Sequence, residues 1–312
     1  MMIRLLSKKL TLAVSLMLIS MSGLALADTA AHQLTQPHQA QQIITTDWSI
    51  AETLLMFDAP LVGIGDVMQY KNWVVTPRIS DKVIDLGLRS QPNMEALIEA
   101  QANTLINSSW FQHILPPELI NNRYTLHAVD FYTDEGLSWH NTVTQTLLLG
   151  KISQREAEAQ ALVAKVATAI ATDRRHLDRF ADRPIAMVQF IDARHLRIYG
   201  NNSLYGVVLN KLSLHNAWQQ ATNGWGFKQI NLLDLANLPP STLLIIIAPY
   251  PANLAEKLRH NPLWLQLPFA NKQNYRVLPA VWAFGALPSM QRFSHLLTDS
   301  LLDPPHYAWP DE

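Results

Sequence analysis

Apolar residues fall along the chain in short continuous runs, separated by stretches in which they recur every three or four positions. That is the pattern of strands alternating with helices. Runs suited to buried parallel strands lie at 61–64, 104–107, 125–129, 186–191 and 243–248. Helical spacing covers 50–57, with Asp47 ahead of it as a cap, and 94–100, which follows Pro92 and Asn93. Strands alternating with helices imply α/β layering, with right-handed crossovers over parallel sheets.

The segment 154–180 breaks the alternation. It lacks Gly and Pro and is rich in Ala, Glu, Gln, Arg and Leu, all good helix formers. Leu162, Val166 and Ile170 form a narrow apolar stripe, widened by Ala159 and Ala169. Ser153 with Glu156 three residues later reads as a capping box, and Arg183-Pro184 ends the pattern. Some 26 helical residues would span ~39 Å. Two readings are open: an ordinary domain helix, or a strut joining two lobes that hold a ligand between them. On the strut reading the organisation is an N-terminal lobe 28–152, a connecting helix 153–182 and a C-terminal lobe 183–312.

The beginning of the chain reads as an address. Arg4, Lys8 and Lys9 precede an apolar run at 10–24, and Ala25-Leu26-Ala27 follows. A basic segment, a short apolar core and an A-x-A site make a secretory signal peptide, with cleavage expected between Ala27 and Asp28. The run is shorter than the ~20 residues a membrane span needs and is interrupted by Ser15, Ser20 and Ser22. The expected location is the periplasm.

Charge and composition then remove whole classes of function. The chain of 312 residues carries 24 basic and 25 acidic groups; without 1–27 it keeps 21 basic groups and a formal charge of −4. A near-neutral balance argues against phosphate-driven nucleic-acid binding. The absence of cysteine excludes disulfides, thiol catalysis, iron–sulfur clusters and cysteine-ligated zinc. There is no phosphate-binding G-x-x-x-x-G-K-[ST] loop and no G-x-S-x-G elbow. Gly63-Ile64-Gly65 lacks the third glycine of a dinucleotide fingerprint and reads as a strand-end turn. The histidines are scattered, no carboxylate pair stands out, and neither a catalytic group nor a cofactor site is expected.

What remains is aromatic and cationic. Trp73, Trp110, Phe111, Trp225, Trp282 and Phe284 stand near expected strand ends or in loops, where they either fill the core or wall a pocket. Thr222-Asn223-Gly224-Trp225-Gly226 is such a loop, its glycines letting backbone approach a ligand. Arg89 follows 83–88 and precedes Ser90-Gln91-Pro92-Asn93, an expected strand, turn and proline-opened helix. An arginine there is either an ordinary surface residue or a guanidinium fork aimed at anionic oxygens.

At these residues the chain resembles the periplasmic ferric-hydroxamate binding proteins, which deliver iron–siderophore complexes to an ABC importer in the inner membrane. The pieces are Trp48 with Glu52-Thr53-Leu54-Leu55, Tyr70-Lys71-Asn72-Trp73, 85–93, 191–195, 200–204, 216–219, 222–226 and 279–285, in order over nearly the whole chain. The resemblance implies two Rossmann-like α/β lobes joined by a single long helix, with a ligand cleft between them and little opening or closing. It implies hydroxamate oxygens bound at Arg89, aromatic walls at Trp73, Trp225 and Trp282, and Asn223 in the adjoining loop. Where the family has a contacting tyrosine, this chain reads Ser108-Ser109-Trp110-Phe111, without the phenol; Phe284 likewise stands without a hydroxyl. Docking on the permease is implied for Glu118 and Asp234, one acidic residue per lobe. The expected protein is a monomer with no resident cofactor, its iron carried inside the siderophore. The rival readings are the same fold holding another iron chelate, haem or cobalamin, and an exported α/β hydrolase.

Overall fold

In the computed structural model, which describes residues 40–112 and 123–309, every expected strand forms, although the run at 125–129 forms an edge strand that is mostly exposed and not buried as expected. The runs Leu61–Ile64 (β2) and Thr104–Asn107 (β6) keep their expected bounds, and Ile43–Thr45 (β1), too short to read from pattern, lies between them. Ile84–Asp85 (β3) and Thr125–Ala128 (β7) complete a parallel sheet of order β3-β2-β1-β6-β7. Two small antiparallel hairpins accompany it, Gly87–Leu88 (β4) with Gln91–Pro92 (β5), and Tyr132–Thr133 (β8) with Gly136–Leu137 (β9). The direction of strand order reverses between β1 and β6. In open α/β sheets the crevice beyond the carboxyl ends at such a reversal is where ligands bind.

The second sheet is mixed. Ile185–Phe190 (β10), Leu243–Ile247 (β13) and Tyr275–Leu278 (β14) run parallel, whereas His195–Tyr199 (β11) and Phe227–Asn231 (β12) are antiparallel additions on the other side. The parallel strands are buried on both faces and read as continuous apolar runs; the antiparallel pair has a wet face, so its sequence carries Arg197, Lys228 and Gln229.

The helix after the first sheet is Glu156–Arg175, of 20 residues and so ~30 Å long, not the longer 154–180. The expected capping box is absent. Ser153 belongs to the preceding helix Trp139–Ile152, where its Oγ donates to the Leu149 carbonyl at 2.8 Å, and Gln154 adopts a left-handed φ of 57° that separates the two. The stripe Ala159, Leu162, Val166 and Ile170 is buried as spaced. The preceding helix crosses at Gly150, where a Cβ would press into the Ala159 methyl. Gly150→Ala is therefore expected to destabilise by about 1–3 kcal/mol through overpacking, visible as a lower urea midpoint.

Against the other side of this helix packs the last one, Leu287–Leu302, tied to it by Ser294 Oγ donating to Asp173 Oδ2 at 2.6 Å. One hydrophobic cluster consequently contains residues of both lobes, among them Leu54, Leu149, Val166, Tyr205 and Phe293. Among the described residues no helix is long and apolar enough to cross a membrane. The expected signal segment 1–27 lies outside the described residues.

Candidate functional site

The carboxyl ends of β1 and β6 are stitched together by a buried amide. Asn107 Oδ1 accepts from Thr45 Oγ1 at 3.0 Å and the Thr46 N–H at 2.9 Å, while its Nδ2 donates to Thr46 Oγ1 at 3.1 Å. Asp47 then caps the helix Trp48–Met56 by accepting the Ser49 N–H at 2.9 Å. The Trp48 indole N–H donates to the Gly65 carbonyl at 2.7 Å, which seats that ring at the head of the sheet.

Arg89 comes to this point from the tip of the β4–β5 hairpin, not from the mouth of a helix. Gly87 makes the hairpin possible with φ 79°, and Pro92 ends it; Asn93, whose Oδ1 accepts the Glu95 N–H at 2.8 Å, caps the next helix. Gly65 leaves room for the arginine stem, since a Cβ there would stand 3.3 Å from Arg89 Cγ. The Nε–H donates to the Thr46 carbonyl at 2.9 Å, and the guanidinium carbon lies 4.4 Å from the Trp48 ring centre and 4.8 Å from that of Phe111. Among the described residues the two terminal nitrogens make no further hydrogen bond or ion pair. Burial pushes the guanidinium below its ordinary pKa, with Asp47 and Asp66 pulling it back up; an arginine so placed keeps its charge and wants anionic oxygens.

The rest of the cleft, about 820 Å³, is a chain of rings from both lobes. Trp282 meets Trp48 at 4.9 Å and Phe284 at 5.1 Å between ring centres; Phe284 meets Trp225 at 5.6 Å, and Trp225 meets Trp110 at 6.0 Å. The loop that carries Trp282 and Phe284 belongs to the second lobe, yet the first lobe pins it. Ser49 Oγ donates to the Phe284 carbonyl at 2.8 Å, and the Tyr132 hydroxyl donates to the Ala283 carbonyl at 3.1 Å. Glu52 completes the fastening. Its Oε1 accepts the Ala286 N–H at 2.6 Å and its Oε2 the Ser289 hydroxyl at 2.6 Å, so a carboxylate from one lobe caps the last helix of the other. Full burial raises the Glu52 pKa from 4.5 to about 7, against the lowering effect of those hydrogen bonds.

Of the residues singled out in the sequence, Arg89, Trp110, Phe111, Trp225, Trp282 and Phe284 line this single cleft. Trp73 stands behind the wall, edge-on to Trp282 at 6.1 Å. Asn223 shapes the turn instead of facing the cleft: its Oδ1 accepts the N–H groups of Trp225 and Phe227 at 3.0 and 3.1 Å. Asp234 lies on the second lobe, its Oδ2 accepting the Asn231 N–H at 2.8 Å, and borders a separate hollow of about 440 Å³ with His195 and Lys228. Glu118 falls outside the described residues.

Sequence reasoning passed over Asp47, Ser49, Asp130, Tyr132, Asp134 and Phe227, all of which line the cleft. Tyr132 supplies a phenol to the wall after all, although its hydroxyl is spent on the Ala283 carbonyl, and burial together with the Glu52 charge lifts its pKa far above the ordinary value. Among the described residues no group of three or more His, Asp or Glu side chains could hold a metal ion. The cleft is thus suited to a bulky, largely apolar guest with exposed anionic oxygens.

Residues 43–281 match the periplasmic binding protein family. The iron(3+)-hydroxamate-binding protein FhuD of Escherichia coli (strain K12) is 26% identical over 274 residues, covering 86% of this chain and 91% of that protein. The Fe3+–Desferal-bound siderophore-binding protein FhuD of Vibrio cholerae superimposes with a TM-score of 0.78 at 21% identity, covering 85% of this chain and 99% of that one. The petrobactin-binding protein YclQ of Bacillus subtilis shares the fold with a TM-score of 0.66 at 15% identity, covering 84% of this chain and 92% of that one.

Proposed function

The chain belongs to the periplasmic binding protein family, and from that premise we propose that it captures iron(III)–hydroxamate siderophores outside the inner membrane and delivers them to an ABC importer. The observation that carries this reading is Arg89, whose two terminal nitrogens, unengaged among the described residues, stand at one wall of an aromatic cleft. A ferric trishydroxamate wraps its iron in oxygen, so the protein needs no metal ligand of its own. The complex offers apolar chains for Trp225, Trp282 and Phe284 to cover and partly negative oxygens for the guanidinium to bond. A highly anionic catecholate would want several cations here, whereas Arg89 is the one basic residue among those lining the described cleft. The protein works as a carrier, without catalysis and as a monomer.

Tryptophan fluorescence of the purified protein, titrated with ferrichrome, ferrioxamine, coprogen, haem and cobalamin, tests the assignment. Quenching by the hydroxamates is the expected result; silence toward all of them, with a response to haem or cobalamin, would move the protein to another cargo. We assign docking on the permease to Glu118 and Asp234, whose charges would steer and orient more than they bind. The double variant Glu118→Ala, Asp234→Ala is expected to keep cargo affinity and to lose most uptake in reconstituted membranes at low salt, the difference from wild type shrinking as salt rises; unimpaired uptake would remove both residues from the interface.

A further inference from the structure

The charges around the cleft do not match a neutral guest. Iron(III) bound by three hydroxamates carries no net charge at its centre, three single negative charges facing three positive ones. The walls carry Asp47, Asp130 and Asp134 against Arg89 alone. Asp47 offsets part of the Arg89 charge, holding its pKa up against burial, and among the described residues Asp130 and Asp134, towards Trp225, pair with no cation. Asp130 is held in place by Ser109, whose N–H and hydroxyl donate to its two oxygens at 2.7 and 2.6 Å. Asp134 is exposed and makes no side-chain hydrogen bond or ion pair among the described residues.

The turn bearing Trp225 lies directly on Asp134: a Cβ on Gly224 would stand 2.9 Å from the Asp134 carbonyl oxygen. Three rings converge there, Trp225 lying 5.6 Å from Tyr132 and 6.0 Å from Trp110 between centres. Trp110 is 68% exposed, an unusual state for so large an apolar surface. The Arg89 guanidinium rests on Trp48, Phe111 and Trp282, but no protein cation occupies the faces of Trp110, Trp225 or Tyr132 among the described residues. Carboxylates beside open aromatic faces are the chemistry that selects an ammonium. That a guest enters at all has separate support in Trp282, a cleft residue only 8% exposed whose indole Nε1–H is buried without an acceptor among the described residues.

Resting on the ferric-hydroxamate reading, we infer that this cleft prefers trishydroxamates carrying a free ammonium arm, received by Asp134 and Asp130 with the rings of Trp110, Trp225 and Tyr132. The probes are ferric desferrioxamine B, which bears such an arm, its N-acetylated form, which has the same iron core without the charge, and ferrichrome. Wild-type protein at low salt should bind the ammonium form about tenfold more tightly than the acetylated one, one carboxylate contact and one cation–π contact together accounting for that factor. The preference should fall toward one in Asp134→Asn and in Trp110→Ala, and in the wild type as salt rises. Equal affinity of the wild type for the two ferrioxamines, or a preference that neither variant nor salt alters, overturns the ammonium subsite alone. Failure of all three probes to bind would instead remove the hydroxamate reading, and the subsite with it.

Discussion

Replacing Arg89 with alanine is expected to lower affinity for a ferric trishydroxamate about 10- to 100-fold, while the thermal midpoint drops only a few degrees. The binding loss follows from the two terminal nitrogens at the cleft, whose charge-assisted hydrogen bonding to a desolvated anionic oxygen contributes roughly 1.5–3 kcal/mol in all. The stability loss is smaller because the side chain gives the fold one Nε–H bond to Thr46 and its stacking on Trp48, Phe111 and Trp282. Arg89→Lys should recover little, since an ammonium cannot both hold Thr46 and fork toward the guest. Titration by tryptophan quenching beside a melting curve separates the two effects. Unchanged affinity in the alanine variant would make Arg89 a structural pin and leave the cleft without its anion contact.

The second large effect concerns stability. Glu52→Ala would leave the Ala286 N–H and the Ser289 hydroxyl without an acceptor in a fully buried place and open a void beside them. A cost of about 2–5 kcal/mol is expected. Glu52→Gln keeps the volume and isolates the charge. In the folded protein the carboxyl titrates near 7, against 4.5 for the unreorganised group, so the native state holds its proton more firmly than the unfolded chain does. The stability this contributes is complete below about pH 4.5 and is lost as pH climbs through 7. Between those limits the wild type should lose about 3 kcal/mol relative to Glu52→Gln, as read from urea unfolding at a series of pH values. A constant difference between the two proteins across that range would show that burial does not hold the proton on Glu52.

How much of this was legible in the sequence depends on what each residue reports locally. Doubly buried strands such as Leu243–Ile247 announce themselves because every position is apolar, and the stripe from Ala159 to Ile170 does so because helical spacing repeats. The three residues of β1 are too few to carry a period, and with that strand unseen Asp47 and Ser49 could not be placed at the sheet's carboxyl edge. Tyr132, Asp130 and Asp134 follow the end of β7 and could have been suspected from that position alone. The bounds of the long helix were misjudged because Gln154 and Ser153 are ordinary helix or cap residues by composition; a left-handed backbone angle at Gln154 leaves no mark on the sequence. Glu52 was visible only as one letter of a family resemblance. Its role depends on Ala286 and Ser289, more than two hundred residues away, and no local pattern encodes such a meeting.

Ser49, Glu52 and Tyr132 of one lobe all grip the 283–289 segment of the other, directly beneath Trp282 and Phe284. The floor on which a guest lands is therefore common property, assembled before anything arrives, and a wide yawn of the two halves would tear it apart. An importer waiting at the membrane would then receive much the same silhouette from full and empty carriers. It would have to sense the passenger itself, as a surface patched in between the two rims, and not the posture of the vehicle.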